Sequence, residues 1–73
     1  GLGKVSKHVL IYGAGGAGAN LARELQLHIE LGFRILGFIE EDEKVRREGR
    51  VIGIPVLGRG EDLPEICEKY RNK

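Results

Sequence analysis

Short apolar runs and amphipathic stretches succeed one another along this chain in the order strand, helix, strand, loop, strand, helix. Val9, Leu10, Ile11 and Tyr12 are consecutive and apolar, without alternation, which is the pattern of a strand covered on both faces as in a parallel sheet. They predict a first strand over residues 7–12, after a leader of residues 1–6. From residue 16 to residue 31 the period changes. Ala17, Leu21, Leu25 and Ile29 recur every fourth position, flanked by Gly18, Ala22 and His28, with Arg23, Glu24, Gln26 and Glu30 off the stripe. That pattern predicts a helix with one apolar stripe against a sheet, stopped by Gly32 in the left-handed region. Phe33, Ile35, Leu36, Phe38 and Ile39 predict a second strand over residues 33–39.

Residues 40–50 are charged and of mixed sign. They predict a helical turn or a mobile loop rather than a full crossover helix, which normally takes a dozen or more residues. A third strand follows over residues 51–57, divided by Gly53 and Pro55 into two short pieces at an edge. Asp62-Leu63-Pro64-Glu65 then reads as a helix start: an Asp cap, Pro in the first turn, and Glu65 completing a capping box. Leu63, Ile66 and Tyr70, with Cys67 beside them as a small core residue, predict the apolar face of a helix running to about Arg71.

The turn between the first strand and the first helix carries the chemistry. Gly13, Gly15 and Gly18 stand at G-x-G-x-x-G spacing, with the required strand before and helix after. Gly13 suits the tight turn, Gly15 lets a pyrophosphate approach the main chain, and Gly18 lets the helix lie close on the strand. With Ala14, Gly16 and Ala17 between them, these residues form the candidate phosphate site at a helix N-terminus. Glu40 follows the last apolar residue of the second strand, about 20 residues after the turn, where a carboxylate accepts the hydroxyls of an adenosine ribose. Glu41 and Asp42 are adjacent, and Glu41 is kept as a second candidate. An acid there favours NAD; Arg46 and Arg47 keep NADP open, and coenzyme A shares the same ADP core.

Right-handed crossovers put the strands in the order 3-2-1. The expectation is therefore an α/β domain, half of a doubly wound Rossmann-type fold: a three-stranded parallel sheet with one helix on each face. In such a half the first strand keeps an unpaired edge, a liability that predicts either a fragment packing on a further domain of its parent chain or self-association through that edge.

Composition narrows the function classes. Seventy-three residues make one domain, and a domain of that size buries only about 60 % of its unfolded surface. A net charge of +1 gives no electrostatic case for nucleic acid. No apolar run approaches the roughly 20 residues needed to span a bilayer, so no direct membrane contact is expected of this segment. Cys67 is a single cysteine, which fits a reducing, cytoplasmic setting. His8 has no acid or nucleophile nearby in sequence and reads as a solvent-facing strand end; His28 borders the helical stripe and reads as a packed or half-exposed structural residue. No spacing suggests a metal or a nucleophile, so no catalytic residue is assigned.

Residues 7–18, 31–42, 53–58 and 61–66 together resemble one known pattern: the N-terminal nucleotide-binding domain of CapD-like polysaccharide biosynthesis proteins, the nucleoside-diphosphate-sugar epimerases and dehydratases. A similar CoA-binding-type domain occurs in membrane sugar-phosphate transferases. The resemblance covers nearly the whole chain; it departs at Glu40, where the family more often has Asp, and at Ala19, often basic there. It implies a binding domain that is non-catalytic by itself, from a parent on the cytoplasmic face of the membrane. In that family the Tyr-x-x-x-Lys chemistry lies in a further domain; neither Tyr12 nor Tyr70 is followed by such a lysine. A coenzyme A-binding or nucleotide-sensing assembly module is the alternative.

Overall fold

A computed structural model describes residues 7–71. The expected leader, residues 1–6, lies outside the described residues. Strand β1 (Lys7–Tyr12) leads through the glycine turn into helix α1 (Gly16–Leu27), and a 3-10 turn (Ile29–Leu31) precedes β2 (Phe33–Ile39). Helix α2 (Glu43–Glu48), strands β3 (Arg50–Val51) and β4 (Ile54–Gly58), a second 3-10 turn (Gly60–Asp62) and helix α3 (Leu63–Tyr70) complete the order.

The protein is α/β, with a four-stranded mixed sheet in the order β1-β2-β4-β3. β1, β2 and β4 run parallel, and β3 is antiparallel to β4. The expected three-stranded parallel sheet is thus corrected by one strand. The third strand does split at Gly53, but Pro55 lies inside β4, an inner strand rather than the expected edge, and the pieces fold back on each other as a hairpin. Its two central residues, Ile52 (φ 46°) and Gly53 (φ 78°), both have positive φ, the geometry of the mirror-image turns that suit the twist of paired strands.

The core is led by Ile11, Ala14, Ala22, Phe38 and Ile54, with Leu25 of α1, Val45 of α2 and Val56 packed against it. Two helices therefore meet on one cluster, in place of the single helix expected there. Residues 43–48 do form a helix, though of six residues only. Asp42 starts it by accepting from the Lys44 N–H at 2.9 Å, and Gly49 ends it at φ 79°. Ile39 is buried as fully as Phe38. It pairs with Gly58, where a Cβ would sit 3.2 Å from the Ile66 side chain of α3. β2, not β1, is hence the strand whose end is enclosed from both sides. In β1 only Ile11 is buried, because no strand lies beyond it among the described residues; its His8 is half-buried rather than solvent-facing.

The apolar stripe of α1 is also rotated from the expected one. Ala19 and Ala22 are its buried residues, while Ala17, Leu21 and Ile29 are exposed. The cause is the closeness of the helix to the turn beneath it. A Cβ on Gly18 would fall onto the Gly13 carbonyl oxygen, with its carbonyl carbon at 2.9 Å. Next to the turn only small residues fit beneath the helix, Leu21 is half-exposed, and Leu25, further along α1, packs on the core. The helix is shorter than expected: it closes at Leu27, and the 3-10 turn carries the chain to Gly32, which adopts the expected left-handed conformation (φ 79°). Asp62 does not cap α3 by its side chain. Its carboxylate accepts from the Arg59 N–H at 2.9 Å and holds the preceding 3-10 turn. Cys67, expected in the core, is exposed.

Candidate functional site

Three loops converge where β1, β2 and β4 end: the glycine turn, residues 40–42 and residues 59–61. The parallel register brings them there. Tyr12 pairs with Ile39, and Ile39 with Gly58, so all three strands stop at one level.

Gly13 leaves β1 at φ 96°, a conformation L side chains rarely adopt. Its N–H donates to the Ile39 carbonyl at 2.6 Å and keeps the turn tied to β2. Ala14 is buried beneath. Gly15 caps α1 in an extended conformation, and its carbonyl accepts from the Ala19 N–H at 2.9 Å. No side chain caps this helix start, where the first-turn N–H groups have no intrahelical acceptors. A Cβ at Gly13, Gly15 or Gly16 would meet nothing within 4 Å. The turn is thus open on its outer side and tight, at Gly18, on its inner side.

Glu40 reaches back into this turn. Its Oε1 accepts from the Ala14 N–H and its Oε2 from the Asp42 N–H, each at 2.8 Å. These two donors, Ala14 first, hold its carboxyl below the usual carboxylate range. The carboxylate therefore joins the glycine turn to the start of α2, and each oxygen retains a lone pair for a further donor. The Ala14 N–H is committed to Glu40 and the Ala19 N–H to the Gly15 carbonyl, so the amides of residues 15–18 are the turn's remaining donors.

Glu41 points to the neighbouring loop. Its Oε2 accepts from the Tyr12 hydroxyl and from the Gly60 N–H, the latter at 2.9 Å. The tyrosine hydrogen bond, then the Gly60 amide, lowers the Glu41 carboxyl, and the same bond raises the Tyr12 phenol. Arg46 completes the arrangement by donating to the carbonyls of Glu40 (2.9 Å) and Glu41 (2.6 Å). The Nη1 of that guanidinium, expected as a possible phosphate ligand, is turned to main-chain carbonyls. Arg47 pairs with Glu43 at 3.3 Å on the exposed side of α2.

Of the residues singled out from sequence, Gly13, Ala14, Gly15, Gly16 and Gly18 form the turn, and Glu40 is joined to it through the Ala14 N–H. Ala17 lies exposed in the first turn of α1, and Glu41 joins through Tyr12. Sequence reasoning missed Tyr12 and Gly60 as members of the cluster, and placed Arg46 there as a phosphate ligand rather than a donor to the Glu40 and Glu41 carbonyls. Tyr12 carried a signal in its position alone, a phenol ending the apolar strand beside the first glycine. Gly60 carried none, since its amide meets Glu41 across 19 residues of chain. A separate apolar groove of about 280 Å³, lined by Leu25, Ile29, Phe33, Ile35 and Ile54, lies at the opposite end of the strands and takes no part in the site. Comparison of the chain with protein-family models, with curated proteins and with solved structures finds no match.

Proposed function

We propose that this chain is a nucleotide-binding module, non-catalytic by itself, that holds an adenine nucleotide of the NAD type across the ends of β1 and β2. In finer terms the fold is half of a doubly wound Rossmann-type domain. The diphosphate sits on the open side of residues 13–18, over the amides that begin α1, and Glu40 receives the ribose hydroxyls. The observation that supports this reading is the 2.8 Å hydrogen bond from Ala14 to Glu40, because it joins the acid to the glycine turn. Open space at Gly13, Gly15 and Gly16 supports it. The Glu40 carboxylate favours NAD over NADP, since a 2′-phosphate beside it would meet a like charge, and the Nη1 of Arg46 is already turned to two carbonyls. On the sequence resemblance, the module serves a cytoplasmic sugar-nucleotide epimerase or dehydratase of polysaccharide biosynthesis; coenzyme A binding is the alternative, through the shared ADP core.

Titration of the chain with NAD, NADP and coenzyme A, followed by amide chemical shifts at residues 13–18 and 40–42, tests the reading. NAD is expected to move both groups of signals and NADP to bind more weakly. Gly15→Val fits the free protein, because the space above Gly15 is empty, but occupies the path of the phosphate. It is expected to fold normally and to lose binding. Shifts confined to other residues, or unchanged affinity in Gly15→Val, would refute the assignment.

A further inference from the structure

The glycine turn and Glu40 account for a diphosphate and a ribose, but the Tyr12–Glu41–Gly60 cluster beside them has no part in that reading. Tyr12 is 63 % exposed although it closes the apolar strand β1. An exposed side chain ordinarily keeps its rotamer freedom, whereas this one is tied at its tip. Its hydroxyl donates to the Glu41 Oε2, which also accepts from the Gly60 N–H at 2.9 Å. β1 and β4 flank β2, about 9.5 Å apart at the usual strand spacing, and the phenol reaches across that gap. A Cβ on Gly60 would lie 3.4 Å from the Tyr12 hydroxyl oxygen and 3.6 Å from the ring Cε2, but only 2.8 Å from the Glu41 Oε2. Glycine at that position is what lets the loop after β4 close on the pair. Glu41 is pinned in turn, its carbonyl accepting from Arg46 at 2.6 Å. An aromatic side chain therefore lies over the end of β2, fixed at its far end and open to solvent.

We propose that the Tyr12 ring is the platform on which the base of the bound nucleotide stacks, with Glu41 as the positioning residue that holds the ring in place. The inference rests on the nucleotide reading and adds the base subsite that reading lacks. A nucleotide with its diphosphate on residues 13–18 and its ribose at Glu40 runs from the end of β1 onto that of β2, and its base arrives over the strand end that the ring covers. A purine offers a broad π-face, and stacking of a base on an aromatic side chain needs no hydrogen-bond partner on the base. Stacking on a free ring would first have to order it; the Glu41 bond has done so before any ligand binds. The bond from Gly60 to Glu41 would by itself suffice to join the two loops. What the phenol adds to that tie is a fixed, exposed aromatic face.

Titration of the chain with ADP and with inorganic pyrophosphate, followed by proton NMR, tests the platform. Both probes are expected to move the amides of residues 13–18. Only ADP is expected to shift the Tyr12 ring protons upfield, with Tyr70 as the internal reference. Tyr12→Leu removes an exposed ring and is expected to weaken ADP binding by about ten- to a hundredfold while leaving pyrophosphate binding unchanged. Tyr12→Phe keeps the ring and is expected to retain most of the affinity. Glu41→Ala releases the ring and is expected to weaken ADP binding; Glu41→Gln, whose amide oxygen accepts the same two bonds, is expected to restore it. Unchanged ADP affinity in Tyr12→Leu, with the shifts at residues 13–18 intact, would overturn the platform and leave the nucleotide reading standing. An unshifted Tyr12 ring in the ADP-bound parent would do the same, whether or not Tyr12→Leu folds. Equal ADP affinity in Glu41→Ala and Glu41→Gln would overturn the positioning role. If neither probe moves residues 13–18, the nucleotide reading falls and this inference falls with it.

Discussion

Gly18→Ala should unfold this protein more readily, although by local propensity it ought to do the reverse. Gly18 lies in the first turn of α1, where alanine is normally better than glycine by up to about 1 kcal/mol. The added Cβ, however, would land on the Gly13 carbonyl, 2.9 Å from its carbon and 3.6 Å from the Ile11 side chain. Carbon atoms are comfortable at about 3.5–4.0 Å. The obstacle is backbone, fixed in turn by the Gly13–Ile39 hydrogen bond, so it has no rotamer to escape through. Overpacking of this kind costs about 1–3 kcal/mol, and a rigid obstacle puts it at the upper end. Subtracting the propensity gain leaves a net loss of about 2 kcal/mol. For a domain of this length that is roughly 8–16 °C in Tm. Gly16→Ala, two residues earlier in the same helix with nothing within 4 Å of its Cβ, is the control and should be neutral or raise Tm by a few degrees. Thermal unfolding followed at 222 nm measures both. Equal melting of Gly18→Ala and the parent, or equal losses in the two variants, would show that the helix does not lie on the turn as described.

Two further outcomes follow from local features. Ile52 is a β-branched residue at φ 46° in the β3–β4 turn, a conformation that costs roughly 1–2 kcal/mol. Ile52→Asn makes the favoured Asn-Gly turn and should raise the urea midpoint; a fall would mean that the half-exposed Ile52 side chain contributes more by packing than its backbone loses. The Tyr12–Glu41 bond predicts a pH dependence with two limbs. The raised Tyr12 phenol contributes stability that is full below its ordinary value of 10.0 and lost as pH climbs through the folded value. The lowered Glu40 and Glu41 contribute stability that is full above 4.5 and lost as pH falls through their folded values. Urea midpoints across the pH range should therefore fall on both sides, and Tyr12→Phe should flatten the alkaline limb; an unchanged alkaline limb in that variant would refute the assignment.

How far the amino-acid order alone decided this protein can be judged element by element. β1, the start of α1, β2 and the body of α3 were legible because each is written in a local signal: an unbroken apolar run, a period near four, a proline in the first turn. The glycine spacing and the acid after β2 were legible for the same reason, and Gly32 ended its segment as a left-handed glycine should. Other features belonged to distance rather than order. The β3–β4 hairpin was hidden because Ile52 is a poor turn residue whose strain is overridden by pairing. The start of the α1 stripe turned because Gly18 lies on Gly13, which leaves room beside the turn for Ala19 and Ala22 while Leu21 stays half-exposed. Cys67 sits outside the core because α3 turns Ile66, not its neighbour, toward β4. The bonds that join Glu40 to Ala14, and Glu41 to Tyr12 and Gly60, close loops of 19 to 29 residues. Such contacts exist only once three strands end at one level. A one-dimensional pattern records which groups are present and at what period; which of them meet is settled by the sheet.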